Sequence, residues 1–176
     1  MKKITALIIL AVVALSLFAC GKQSAGLKLG MGVYSSAQKA TDADSDKNGS
    51  AGALVTVATV LMDADGKIVR CVLDAAEYTF SYTADGKAVS VGEFPTKREQ
   101  GDAYGMKLYG GATKEWYEQA DAFSAAVTGK TVSEVKSLLA SGGKGNSEVI
   151  SAGCTISIED FIFAIEKAAA NASAAG

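Results

Sequence analysis

The residues with the clearest chemical potential lie between Ala152 and Ser157, where the chain reads AGCTIS. The segment places a glycine, a thiol and two hydroxyl groups directly before a helical pattern. Small residues let a ligand approach the backbone closely, and the free N–H groups at a helix start bind phosphate well. Ser157, with Asp160 three residues on, equally fits an N-cap beside an acid favoured by the helix dipole. The pattern indicates either a phosphate site or a well-capped buried helix.

An apolar stripe follows this segment. Ile158, Phe161, Ile162 and Ile165 fall at i, i+3, i+4 and i+7, the spacing that puts four side chains on one helix face. We therefore predict a helix that continues to about Ala170 and buries this face.

The AGCTIS segment resembles the small-Gly-Ala-Thr-x-Thr motif of FMN-binding domains. These domains occur in the C and G subunits of sodium-pumping and Rnf-type oxidoreductases and in electron-transfer lipoproteins of bacteria. In that family a separate flavin transferase esterifies the last hydroxyl residue with the phosphate of FMN, and a helix follows. The resemblance implies Ser157 as the attachment residue, with Gly153 and Thr155 at the phosphate turn. This chain departs from the family pattern at Ala152, Cys154 and Ser157, which replace Ser or Thr, Ala and Thr.

Two aromatic residues are candidates for stacking on the flavin ring. Tyr104 lies in the sequence GDAYG, and glycine-containing loops with an aromatic residue often bind ligands. Trp116 lies on a predicted helix that begins after Thr113 and ends near Val127. For both residues the structural alternative is the more common one, a packed tyrosine in a linker and a tryptophan in the core. A second match to the flavin motif, YGGAT, places Glu115 where the hydroxyl is required, so we reject it.

The composition excludes several classes of enzyme. The chain of 176 residues contains no histidine, the commonest general base and metal ligand. This excludes hydrolases that use a Ser–His or Cys–His pair and argues against zinc hydrolases. The carboxylates show no spacing that specifies acid–base catalysis, and Asp102 is the candidate if the protein is a hydrolase. No basic run is present, which argues against nucleic-acid binding.

The first residues read as a secretion signal. Lys2 and Lys3 precede an apolar run that ends before Cys20, so residues 1–19 are predicted to be a signal peptide. The sequence LFAC resembles a lipobox, which implies a diacylglycerol thioether on Cys20 and an anchor at the outer face of the cytoplasmic membrane. Residues 20–26 then form a tether. Plain secretion and an uncleaved anchor are the alternatives.

Cys71 and Cys154 are the other two cysteines. An extracytoplasmic location permits a disulfide between them, but two buried thiols fit the sequence as well. The segment 42–49 (DADSDKNG) has the alternating acids of a calcium loop, yet Lys47 and Ala53 stand where glycine and glutamate belong. A solvated loop without metal is the preferred interpretation.

The remaining pattern predicts an α+β domain. Runs of β-branched residues separated by two Asp-Gly turns indicate an antiparallel β-meander, which we expect to pack against about three helices. Residues 27–170 then form a single FMN-binding-like domain, and residues 171–176 a disordered tail.

Two functions follow from the sequence. The family resemblance implies a membrane-anchored protein that carries electrons with FMN, bound either covalently through Ser157 or non-covalently. A flavin transferase and a redox partner are its implied partners. The alternative is a non-catalytic surface lipoprotein that binds a small molecule or a protein. Either is a carrier or binding protein rather than a turnover enzyme.

Overall fold

Helices cover one side of a single antiparallel sheet. A computed structural model describes residues 26–90 and 94–175. The predicted signal peptide and the predicted lipid anchor at Cys20 lie outside the described residues. Within them, none of the helices has the length and apolar character needed to cross a bilayer.

The sheet confirms the predicted β-meander. Its order is β4-β3-β2-β1-β5, and the paired strands are antiparallel. The strands are β1 (Lys28–Ala37), β2 (Gly49–Met62), β3 (Ile68–Tyr82), β4 (Ala88–Ser90) and β5 (Ser173–Ala174). The β-branched residues of β2 and β3 favour this extended, half-buried backbone. The longest strand, β3, runs without a break for 15 residues.

Both predicted Asp-Gly turns are present. In the first, the Asp63 carboxylate accepts hydrogen bonds from the backbone N–H of Asp65 at 3.0 Å and of Lys67 at 2.8 Å. In the second, the Thr83 N–H donates to the Lys87 carbonyl at 2.9 Å. These local bonds fix the register of β2 with β3 and of β3 with β4.

Six α-helices lie in the described residues, so the α+β class is confirmed while the helices outnumber the three we expected. They are α1 (Lys97–Gln100), α2 (Met106–Gly110), α3 (Trp116–Ala126), α4 (Val132–Lys136), α5 (Ser147–Ala152) and α6 (Glu159–Ala170). Only α3 and α6 exceed six residues among these. They supply the two long apolar faces that the sequence predicted, and both faces are buried.

Thr131 and Glu134 form a capping box at the start of α4. The starts of α3 and α6 differ from the predicted ones. The N-cap of α3 is Glu115 rather than Thr113, and the N-cap of α6 is Ile158 rather than Ser157. The prediction that Ser157 caps the helix is therefore wrong, because its hydroxyl hydrogen-bonds elsewhere.

Helix α6 lies directly on β1 at two glycines. A methyl group at Gly32 would overlap the Ala164 carbonyl oxygen, and one at Gly30 would overlap the Ala168 carbonyl oxygen. The absence of side chains at these two positions lets the helix backbone approach the strand. These two glycines therefore allow α6 to pack directly on the sheet.

The C-terminal end differs from the predicted disordered tail. Ser173 and Ala174 form β5, which pairs with Leu29 and Lys28 at the start of β1. The end is ordered because the apolar side chain of Ala172 packs against the core and brings β5 to the sheet edge.

Candidate functional site

A cavity of about 200 Å³ lies between the sheet, α3 and the start of α6. Ser157, Tyr104 and Trp116, all predicted from the sequence as site residues, line it together. Lys97 and Asp160 also line it, and most of the rest is apolar: Leu54, Ala75, Met106, Ile156 and Phe161. The fold therefore brings three distant segments of the chain to one concave surface.

Lys97 is the buried charge of this cavity, and the sequence analysis missed it. The residue is 8% exposed, and its ammonium group lies 3.3 Å from a carboxylate oxygen of Glu77. The same nitrogen lies 4.9 Å from the ring centre of Tyr104 and 5.8 Å from that of Trp116, both within cation–π range. One signal was available: a lysine at the first position of a helix opposes the helix dipole.

The two aromatic residues contribute differently. Trp116 is 5% exposed and meets Phe161 edge to face at 5.7 Å, so most of its ring belongs to the core. Tyr104 is half-buried at the end of a 3-10 turn (Gly101–Tyr104). The neighbouring Tyr117 donates its hydroxyl to Asp102 at 3.1 Å, and this bond raises the pKa of Tyr117. Tyr104 and Trp116 are thus the aromatic walls of the cavity.

Ser157 lies at the rim of the cavity. Its side chain is exposed, and its hydroxyl donates to the Gly143 carbonyl at 3.0 Å, which leaves the oxygen lone pairs free. The following N-cap, Ile158, has a hydrocarbon side chain that cannot accept hydrogen bonds from the first-turn N–H groups of α6. An anion at the rim would meet these donors and the serine hydroxyl.

Of the other AGCTIS residues, only Ile156 lines the cavity, and the first four do not. Ala152 ends α5, and Gly153 has a φ of 98°, which caps that helix in a conformation that favours glycine. Cys154 is buried in the core. Thr155 donates both its backbone N–H and its hydroxyl to the buried Gln119 amide oxygen, at 2.9 and 3.0 Å. These four residues hold the segment in place behind Ser157.

Two lysines flank the segment on its outer side. The Lys144 ammonium donates to the Thr155 carbonyl at 3.1 Å, and the Lys114 ammonium lies 3.5 Å from the Ala152 carbonyl. The Lys114 side chain also fills the space that a side chain at Gly153 would need. The segment therefore carries positive charge on its exposed side.

Glu115, which could not carry a phosphoester, has a structural role instead. It is 2% exposed, and its carboxylate accepts the backbone N–H groups of Met106 at 2.8 Å and Lys107 at 3.1 Å. These bonds tie the start of α2 to the start of α3. Because Tyr104 and Met106 flank this junction, Glu115 holds one wall of the cavity.

Cys71 and Cys154 are free buried thiols, so of the two alternatives the structure has the one without a disulfide. Burial raises the pKa of Cys71 from 9.0 to about 12 and that of Cys154 to about 11. A thiol with such a pKa stays protonated at neutral pH, so neither residue is an activated nucleophile.

We expect the free energy of unfolding to fall as the pH rises from about 9 towards 12. The unfolded chain releases the Cys71 proton near pH 9 while the folded chain retains it, so rising pH favours unfolding. Urea unfolding of the full chain between pH 8 and pH 11 should show a steeper loss than that of Cys71→Ala. Equal slopes would contradict the raised pKa.

The acidic loop at 42–49 uses its second carboxylate, Asp44, in local contacts. Asp44 accepts the backbone N–H groups of Asp46 and Lys47, both at 2.9 Å, and pairs with the Lys47 ammonium at 3.7 Å. Across residues 26–90 and 94–175, no group of three or more Asp, Glu or Cys side chains is placed to hold a metal ion.

Comparison with known proteins gives one partial relative. The chain is 34% identical over 96 residues to a chlorophenol reductase of Desulfitobacterium hafniense, which covers 47% of this chain and 29% of the relative. The chain thus spans less than a third of the length of that protein. No protein-family model matches the chain, and no solved structure matches it significantly.

Proposed function

We propose that this domain binds FMN at the cavity and carries electrons. The observation that supports it most is that Ser157, Tyr104 and Trp116 line one cavity although they come from three separate segments. The AGCTIS segment supplies the resemblance, and the cavity supplies a polar rim beside aromatic walls. As part of this proposal, the lipid on Cys20 holds the domain at the outer face of the membrane, where a flavin transferase and a redox partner act on it.

The residues present fit the two chemical ends of FMN. The Ser157 hydroxyl and the first-turn N–H groups of α6 suit the phosphate, although Asp160 of the same turn also lines the cavity. Tyr104, Trp116 and the apolar floor suit a planar ring. The cavity of about 200 Å³ is smaller than the 300–1,000 Å³ of typical complete ligand sites. It would enclose part of the cofactor and leave the remainder at its open mouth.

Bound FMN would supply the redox chemistry, and the chain supplies position and environment. Ser157 offers an exposed hydroxyl oxygen, oriented by its hydrogen bond to Gly143. The apolar floor excludes water from one side of the site. Covalent attachment also suits an extracytoplasmic protein, because a freely dissociating cofactor would be lost outside the cell.

The partial relative supports a redox role. That protein is named as a reductase, and 47% of this chain aligns with it. Because the alignment covers only 29% of that protein, we transfer the redox character of the relative and not its substrate. An electron carrier needs no substrate pocket of its own beyond the cofactor site.

The test is the intact mass and visible spectrum of the full chain, purified in detergent after co-production with a flavin transferase. We expect a mass gain of one FMN less one water, and flavin absorbance that persists after denaturation. Ser157→Ala should lose both signals, since its side chain has no oxygen to form the ester.

Ser151→Ala is the matched control, because Ser151 is exposed on α5 only a few residues away. It should retain the full mass gain. Absence of added mass in the unsubstituted chain, together with no flavin retained under native conditions, would overturn the proposal. The non-catalytic binding lipoprotein would then be the leading function.

A further inference from the structure

We infer that Lys97 binds the polar edge of the planar ring in the cavity and thereby sets both the affinity and the reduction potential of the bound flavin. The inference rests on the proposed function and adds a residue that neither the motif nor the partial relative assigns. It places the flavin ring inside the cavity and the phosphate at the rim.

The first argument is the hydrogen-bonding capacity of the ammonium group. A lysine has three N–H donors and no acceptor. Glu77 engages Lys97 through one carboxylate oxygen at 3.3 Å, and its own side chain is 44% exposed. The neighbouring rings of Tyr104 and Trp116 attract the charge through their faces but provide no lone pair. The ammonium therefore has donor capacity for an acceptor inside the cavity.

The second argument is the free-energy cost of burying the Lys97 ammonium group. Removing an ammonium group from water is expensive, and one partly exposed carboxylate compensates it incompletely. Lys97 is 8% exposed, whereas the side chain of Lys130, which also pairs with a glutamate, is 26% exposed. A lysine with a purely structural role would be expected to extend its ammonium into water. The ammonium group of Lys97 instead lies inside the protein, at the lining of the cavity.

The third argument is the match to the two edges of a flavin ring. One edge carries carbonyl oxygens and ring nitrogens that accept hydrogen bonds, and the opposite edge is a dimethylbenzene. Lys97 provides the donor for the first edge, while Tyr104 and Trp116 provide surface for the ring itself. Asp160 lies on the α6 side of the same cavity near Ser157. The donor and the acid thus come from opposite elements of the site, so they distinguish one orientation of the ring.

The charge also has a consequence for the reduction potential. When dithionite reduces the ring with two electrons and one proton enters from water, the ring gains one negative charge. A fixed positive charge at its polar edge favours that product. Replacing Lys97 with methionine should lower the potential, and replacing Glu77 with glutamine should raise it, because the lysine charge is then no longer neutralised.

The experiment measures riboflavin binding and the potential of the bound flavin in the full chain. Riboflavin has the ring without the phosphate, so it reports the cavity interior alone. We expect Lys97→Met to weaken riboflavin binding about tenfold or more, the effect of losing a charge-assisted hydrogen bond. Dithionite titration of FMN-loaded protein should give a more negative midpoint for Lys97→Met and a more positive one for Glu77→Gln.

Lys130→Met is the matched control, since it also removes a lysine from a pair with a glutamate, and it should leave both measurements unchanged. Lys97→Arg keeps the charge and should retain a potential closer to that of the unsubstituted chain. Circular dichroism and urea unfolding confirm that each variant is folded. If the unsubstituted chain binds FMN while Lys97→Met leaves its riboflavin affinity and potential unaltered, the role of Lys97 is disproved and the proposed function stands. If the unsubstituted chain binds no flavin, both fail.

Discussion

Gly32→Ala should unfold the domain or destabilise it by at least about 3 kcal/mol, because the added methyl group overlaps backbone rather than a movable side chain. It would collide with the Ala164 carbonyl and the Ala168 nitrogen of α6. The strand and the helix must separate to relieve this overlap, and separation opens the core beneath Phe161 and Ile165. Natural domains have only about 5–15 kcal/mol of stability to lose. Urea unfolding of the full chain measures the effect.

Gly110→Ala is the control for this substitution. Gly110 ends α2, and a methyl group there meets no atom within 4 Å in the described structure. Alanine also reduces the conformational freedom of the unfolded chain. We expect the control to match the original stability or exceed it slightly. A Gly32→Ala variant with native stability would show that α6 does not lie on β1 as described.

Glu115→Leu should cost about 2–5 kcal/mol and loosen one wall of the cavity. The substitution leaves the backbone N–H groups of Met106 and Lys107 without their carboxylate acceptor at a site that is 2% exposed. Leucine keeps much of the volume, so the loss measures the hydrogen bonds rather than a void. Amide hydrogen exchange should accelerate at residues 104–108 before it does so in the sheet.

Glu148→Gln is the control. It tests whether the loss of an exposed carboxylate also lowers the stability and accelerates amide exchange. Glu148 pairs with Lys130 at 2.8 Å, but its side chain is 53% exposed, and exposed ion pairs contribute less than about 1 kcal/mol. Its exchange pattern should be that of the original chain. Equal losses from Glu148→Gln and Glu115→Leu would refute the special role of the buried carboxylate.

The features that were predicted correctly depend only on residues close together in the sequence. The Asp-Gly turns, the β-branched runs and the helical stripe from Ile158 to Ile165 each act within about fifteen residues. Their local patterns were enough to predict the α+β fold. The role of Gly30 and Gly32 could not be predicted from their own segment, because it depends on a helix more than a hundred residues later. The tail was misread for a similar reason, since β5 is a strand only beside β1.

The residues of the cavity also divide into those that could be predicted from their own segments and those that could not. Ser157, Tyr104 and Trp116 were each singled out from their own segments, and the structure brings them together. Lys97 was missed because its one local signal, a lysine at the first position of a helix, does not show that the side chain turns into a cavity. Ser157 was predicted as a helix cap, yet its hydroxyl bonds to Gly143, fourteen residues away. Contacts between distant segments therefore decided the chemistry of the cavity.

The contact of α6 with β1 also determines the order in which the molecule can assemble on a ribosome. The first three strands are complete at Tyr82, whereas α6 ends at Ala170. At about 5–20 residues per second, that interval lasts roughly 5–20 s. Throughout it, the glycine-lined surface of β1 and the apolar face of β2 have no helix to cover them. The chain therefore cannot bury this face of the sheet until its last long helix is present.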